Sequence, residues 1–463
     1  MNPGISKSVF SLLLPALALA FNGALAQDTP AESLLRSRNA EFTREIVHVS
    51  DSVYTAVGYS PANVSMIVGR DGIILVDTGM TPQHSDAIAA AFREISNLPL
   101  AGIIYTHGHG DHTGGAQSFI QGAQPEIWAR DNFGSEDRPL AAAGLTVQQQ
   151  RGTSQAGFAL PDTLRINNGI APPMRPGRPN AFANASGSDG SALDTSPNRT
   201  FSGARQTLTL AGISLELVAA PGETDDQLYV WFPAEEVLFA GDNYYKSFPN
   251  LYAIRGTPYR DVLAWSQSLD AMLAENAVAV VPGHTLPVIG RENTRQALQN
   301  FRDAIRFVHD KTVEGMNLGM TPDELVDYVQ LPDRLLADQD LGEYYGRVAW
   351  AVRSIFNGYL GWYDGNPSNL SPLSPREEAE KIAALAGGQA ALLDSARQSL
   401  ANGEAQWAAQ LCDYLLALDE NAADAKLVKA DALTVLARDS VNALGRNYYL
   451  TVAQQLRMEA GEI

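Results

Sequence analysis

The feature that most constrains this 463-residue chain is the junction at residues 102–115. There a short apolar run, Gly102-Ile103-Ile104-Tyr105, passes directly into Thr106-His107-Gly108-His109-Gly110-Asp111-His112-Thr113-Gly114-Gly115. Three of the seven histidines of the chain, His107, His109 and His112, lie in this segment with Asp111 between them. After a strand, the His-x-His spacing sets two imidazoles on one side of an extended loop. The adjacent Asp-His pair addresses a neighbouring point, so that two ions can be served at once. Imidazole and carboxylate are the donors that suit zinc in an open catalytic site, where one position is kept for water. The single cysteine, Cys412, excludes an intrachain disulfide and any cysteine-rich metal site. It reads as a buried small hydrophobe between Leu411 and Leu415. His48, His84 and His309 have no partner in sequence and read as ordinary surface or core histidines.

Around this junction the pattern is α/β. Runs rich in β-branched residues at Ile46–Val49, Val53–Val57, Val64–Val68 and Ile73–Val76 end in Asp77-Thr78-Gly79, and a helix entered through Pro82 runs to Ile95. After Ala171 the composition turns to Pro, Gly, Ser and Asn as far as Asn198, which predicts a lid-like insertion. Strands return at Thr207–Leu210, Ser214–Val218, Leu228–Phe232, Val237–Ala240 and Val278–Val281. Beyond residue 290 the pattern is helical, with Arg295–Lys311, Pro322–Tyr328, Tyr344–Leu360 and Pro375–Leu385 the clearer segments. Helical hairpins broken at Asn402-Gly403 and Asp419–Ala422 follow and resemble tetratricopeptide-type packing. The expected division is therefore residues 27–290 as a catalytic domain and 291–463 as a helical one.

The ends and the charge add to this. Lys7, the apolar run Val9–Phe21 and Ala24-Leu25-Ala26 form an export-signal pattern, predicting cleavage after Ala26 and an exported, periplasmic or secreted protein. No other stretch approaches the ~18 apolar residues of a membrane span, so no stable membrane insertion is expected. The balance of 33 basic against 52 acidic residues gives a net charge of −19, which argues against a nucleic-acid partner.

The HxHxDH segment after a strand, preceded by Asp77-Thr78-Gly79, resembles the metallo-β-lactamase fold. The resemblance implies an αββα sandwich and further metal-ligand stations downstream. These match Glu223 in Pro221-Gly222-Glu223-Thr224, Asp242 in Ala240-Gly241-Asp242-Asn243, and His284 in Pro282-Gly283-His284-Thr285. Glutamate at the first of these stations is similar to the alkyl sulfatase branch. So are Asn250-Leu251-Tyr252 with Arg255-Gly256, Arg260-Asp261, Gly361-Trp362-Tyr363-Asp364-Gly365-Asn366-Pro367, and Asn447-Tyr448-Tyr449-Leu450-Thr451 near the end. The resemblance implies a helical dimerisation domain and a homodimer.

It also implies two zinc ions. His107, His109 and Glu223 would hold one, Asp111, His112 and His284 the other, and Asp242 would lie between them. Asp111 and Asp242 become the candidate catalytic carboxylates, with Arg255, Asn250, Tyr252 and Lys246 as candidate substrate-binding residues. Asp77 is expected behind the histidine loop, holding it. The implied reaction is hydrolysis of a small anionic ester, an alkyl sulfate, with the carbon–oxygen bond broken. The chain departs from the family in having Lys246 and Pro249 where histidines are usual, Trp350-Ala351 for a His-Asn pair, Thr285 beside His284, and Asp242 for a bridging glutamate. Two other readings stand beside this one. The first is a hydrolase of the same fold acting on another ester, a lactam, a thioester or a phosphodiester. The second is an exported binding protein without catalysis.

Overall fold

The computed structural model describes residues 27–120, 122–173 and 194–463. The expected export signal, residues 1–26, and most of the expected 171–198 insertion lie outside the described residues.

Two sheets form the catalytic half, each with its strands side by side in chain order. The first holds β1 (Glu45–Ser50), β2 (Val53–Val57), β3 (Val64–Val68), β4 (Ile73–Val76), β5 (Leu100–Ile104), β6 (Glu126–Arg130) and β7 (Arg199–Phe201). It is antiparallel up to β4 and parallel from β4 to β7. The second holds β8 (Arg205–Leu210), β9 (Ile213–Ala219), β10 (Leu228–Phe232), β11 (Val237–Gly241), β12 (Ala279–Pro282) and β13 (Val288–Ile289), parallel only between β11 and β12.

The sheets pack face to face because each strand turns one set of alternate residues inward. Ile67, Ile74 and Ile104 of the first meet Leu215, Leu217, Val230 and Phe239 of the second in one buried core. The outer face of the first sheet is covered by the helix Pro82–Ile95, whose Ile88 and Phe92 pack on Met66, Leu75 and Ile103. The outer face of the second takes the helices Val262–Ala274 and Arg291–Asn317. Trp265, Leu269, Leu298 and Phe301 from these helices cover Tyr229, Leu238 and Val280. The result is a four-layered αββα sandwich.

The same outer core takes in Val352 and Ile355 from the helix Val348–Leu360. The division expected near residue 290 therefore falls inside a continuous core, with Arg291–Asn317 serving as the sandwich's own outer layer. Beyond it, Pro375–Ala386, Gln389–Ala401, Ala405–Leu418, Ala423–Arg438 and Ala443–Glu459 pack as antiparallel hairpins. Small side chains at the contacts, such as Ala408 and Ala409 against Ala430, let the helices approach closely. Cys412 is fully buried among Leu392, Ala396 and Leu415.

The helix Pro30–Ser37 returns to this far end of the chain. Thr29 and Glu32 form its capping box, and the Thr29 hydroxyl donates to the Arg438 carbonyl at 2.5 Å. The Glu32 carboxylate lies 3.3 Å from both Arg438 and Arg446. No helix among the described residues is long and apolar enough to cross a membrane.

Candidate active site

The ends of five strands converge on one edge of the sandwich. β4 leads into Asp77, β5 into Thr106 and the histidine loop, β9 into Glu223, β11 into Asp242 and β12 into His284. Strand ends are rigid mounts for loops that carry function. Asp77 has a positive φ of 60°, a conformation that costs a non-glycine residue about 1–3 kcal/mol. In return its carboxylate accepts from the Thr106 N–H at 2.8 Å and the Thr106 hydroxyl at 2.9 Å, and lies 2.7 Å from His112 Nδ1. Asp77 thus holds the histidine loop, as expected. Gly283 is demanded by close approach, since a Cβ there would stand 2.1 Å from Asp242 Oδ1.

Each ring is oriented through the nitrogen that faces away from the centre. His107 Nδ1 meets the Thr106 hydroxyl at 3.0 Å, His112 Nδ1 meets Asp77, and His284 Nδ1 meets the Pro61 carbonyl at 2.8 Å. All three therefore present Nε2 inward, whereas His109 turns Nδ1 toward His107 and Nε2 toward Glu136, 3.3 Å away. Asp242 sits between them: His112 Nε2 is 3.2 Å from Oδ1, and His284 Nε2 and His107 Nε2 are 3.3 and 3.7 Å from Oδ2. Asp111 lies 3.5 Å from His284 and 3.8 Å from His112.

The electrostatics follow from burying so many charges together. Burial works to lower the pKa of His112 and His284, but the surrounding carboxylates, Asp242 first, outweigh it and raise both. His107, buried among other histidines, is driven well below the usual range. Burial would raise Asp242, yet His112 and His284 hold it well below. Glu223 is raised to about 7 by burial, against the pull of the Arg260 guanidinium 2.5 Å from its Oε1.

Glu223 Oε2 is buried without a hydrogen-bond partner, and His112 Nε2 and Asp242 Oδ1 face each other at 3.2 Å without hydrogen-bond geometry. An unsatisfied buried polar atom is costly. The seven residues form three overlapping triads, His107-His112-Asp242, Asp111-His112-His284 and His109-Glu223-Asp242, and in each triad the donor atoms lie within 4.8 Å of one another. Nitrogen and carboxylate donors at that spacing fit a cluster of divalent metal ions. The structure thus brings together all seven residues named as metal ligands from the sequence.

The substrate side is rearranged relative to expectation. Arg255 does line the adjoining cavity, about 450 Å³ in volume, together with His109, Asp111 and Asp242. Its Nη2 donates to Glu136 Oε1 at 2.6 Å and lies 3.3 Å from His109. Lys246 sits outside this cavity lining, its ammonium paired with Glu41 at 3.0 Å. Asn250 and Tyr252 do not line the cavity either. The Asn250 carbonyl instead accepts from Arg260, and its side-chain amide is fully buried.

Residues not identified from the sequence complete the site. Glu136 is buried between Arg255 and Arg260, which with His109 hold its carboxyl well below the usual range against burial. Gln155 accepts from the Arg255 N–H at 3.0 Å. Tyr345 closes one side of the cavity. The lining also includes the apolar Leu140, Ala141, Leu145 and Phe158, with Gln148 and Gln149.

Comparison with known proteins agrees with this geometry. Residues 57–284 match the metallo-beta-lactamase superfamily and residues 321–459 match the alkyl sulfatase dimerisation family. A linear primary-alkylsulfatase of Pseudomonas sp. is 35% identical over 402 residues, covering 84% of this chain and 73% of that protein. An alkyl/aryl-sulfatase of Saccharomyces cerevisiae is 28% identical over 445 residues, covering 94% and 68%. The solved structure of the stereoselective inverting sec-alkylsulfatase Pisa1 from Pseudomonas sp. superposes with a TM-score of 0.84 at 27% identity, covering 95% of this chain and 70% of that one. A centre of seven convergent donors at the edge of an αββα sandwich, followed by a helical dimerisation segment, places this chain in the metallo-β-lactamase-fold alkylsulfatase family, as a metal-dependent hydrolase.

Proposed function

We propose that the protein is an exported, two-zinc hydrolase that cleaves alkyl sulfate esters to the alcohol and inorganic sulfate. The observation that carries this reading is the placement of Arg255. A guanidinium 3.3 Å from His109, in a cavity also lined by Leu140, Leu145 and Phe158, suits a substrate with an anionic head and an alkyl tail. His107, His109 and Glu223 would hold one ion and Asp111, His112 and His284 the other, with Asp242 between them. Ions bound there supply Lewis acidity and make a water nucleophilic near neutral pH.

The chain's own residues do the rest. Arg255 binds the sulfate oxygens and offsets charge on the departing group, where electrostatic help counts most. Glu136 keeps that guanidinium aligned from behind. Leu140, Leu145 and Phe158 bury the alkyl chain, which positions the ester beside the metal ligands and excludes bulk water.

The export-signal pattern supports release from the cytoplasm, and N-terminal sequencing of the secreted form should begin at Gln27. The dimerisation segment supports a homodimer, expected at twice the monomer mass in sedimentation. The decisive assay incubates zinc-loaded protein, beside a His107→Ala control, with medium-chain primary and secondary alkyl sulfates and follows sulfate release. Release absent from the control is the expected result. No release from protein carrying its zinc would redirect the reading to another ester, a lactam or a thioester.

A further inference from the structure

We infer that Asn447, on the last helix, is a positioning residue for the Arg255 clamp and acts through Gln155. This rests on the proposed role of Arg255 as the group that grips the anionic head. Asn447 is not itself part of the cavity lining. It is buried, and its amide donates to the Gln155 carbonyl at 3.2 Å and to the Asn167 carbonyl at 3.3 Å. Gln155 ends the helix Val147–Gln155, which forms one wall of the cavity. The carbonyls of a final helical turn have no partner within their own helix, and Asn447 supplies one from the other half of the molecule.

The Gln155 side chain completes the link. Its Oε1 accepts the Arg255 N–H, and the Arg255 guanidinium is held in turn between Glu136 and His109. The contact is tightly built. Gly157, with a φ of +67°, lies so close that a Cβ would stand 2.9 Å from the Asn447 amide carbon. The neighbouring Arg446 donates to the Leu164 carbonyl at 2.7 Å, tying the same loop to the same helix. A helix of the dimerisation segment therefore sets the position of a substrate-facing arginine in the sandwich, so affinity for the anionic head depends on how that helix is seated.

The test uses the full-length, zinc-loaded protein. Asn447→Leu keeps the side chain's size and removes its donors. Gln155→Leu cuts the same link from the cavity side without altering the last helix. Leu456→Ala serves as a control that loosens the last helix away from the loop. Hydrogen–deuterium exchange of the Arg255 amide and steady-state kinetics with an alkyl sulfate are read together.

Asn447→Leu and Gln155→Leu should each speed exchange at Arg255 and raise KM by about tenfold, the size of one lost hydrogen bond, while kcat stays within about twofold. Asn447→Leu should add nothing further on the Gln155→Leu background. Unchanged exchange at Arg255 in both leucine variants, or an equal change in Leu456→Ala, overturns the link. Arg255→Ala that leaves KM unaltered overturns the clamp reading instead, a failure visible without reference to the exchange data.

Discussion

Asp77 shows how much a single side chain carries here. It accepts two hydrogen bonds from Thr106 and meets the outer nitrogen of His112. Residues that orient metal ligands from behind typically affect metal affinity 10- to 100-fold. Asp77→Asn should therefore weaken zinc binding by about that factor in competition with a chromogenic chelator; unaltered affinity would remove Asp77 from this role. Cys412 makes the opposite case. Burial raises its thiol to about 11, so at pH 8 only ~0.1% is thiolate, the reactive form. A disulfide reagent should leave native protein unmodified and titrate one thiol after denaturation; rapid native modification would contradict the burial.

Residue identity was legible wherever spacing carried it. The histidine loop, Glu223, Asp242 and His284 each sit just beyond a strand with a Gly beside the ligand or next to it, a local pattern visible along the chain. Glu136, Gln155 and Tyr345 belong to no such pattern, because tertiary packing alone brings them to the cavity. Lys246 was drawn to the site because it stands where the family usually has a histidine; its side chain pairs with Glu41.

Among the elements, the β-branched runs were readable because a buried strand must present apolar residues to two covered faces. Expected strands from β1 to β4 coincide with those observed to within a residue, and β10 matches throughout. β6, β7 and β13 were not identified. Glu-Ile-Trp-Ala-Arg has only three apolar residues between its charged ends, Arg-Thr-Phe has one, and β13 has two residues, all too short to stand out. The helix Arg291–Asn317 was seen as helical and grouped with the later helices; it packs on Val352 and Ile355 of those helices and on the second sheet as well, since an amphipathic face does not name what it covers. It covers the second sheet, so Phe301→Ala should destabilise the catalytic sandwich by about 3–5 kcal/mol, measured by denaturant unfolding of the sandwich's tryptophans. A fragment ending at residue 290 should lack a cooperative transition. A stable, cooperatively folding fragment would restore the simpler division.

At the scale of the whole molecule, the metal centre is a stabilising element as well as a chemical one. Without metal, Glu223 Oε2 is buried with no partner, and His112 Nε2 and Asp242 Oδ1 lack a well-formed hydrogen bond. Free zinc at about a thousand times its dissociation constant contributes ~4 kcal/mol of stability. Chelation should lower the melting temperature and re-addition of zinc restore it; a melting curve indifferent to both would argue that these residues hold no metal.

The contact between Glu32 and Arg446 has a consequence in time rather than space. Its two partners stand 414 residues apart in the chain, so at synthesis rates of 5–20 residues per second the first waits roughly 20–80 s for the second to be made. The clasp cannot close until the ribosome has made Arg446. The native state is sealed only after translation has delivered the last helix, and until then the early helix Pro30–Ser37 is open to whatever machinery meets the nascent chain first.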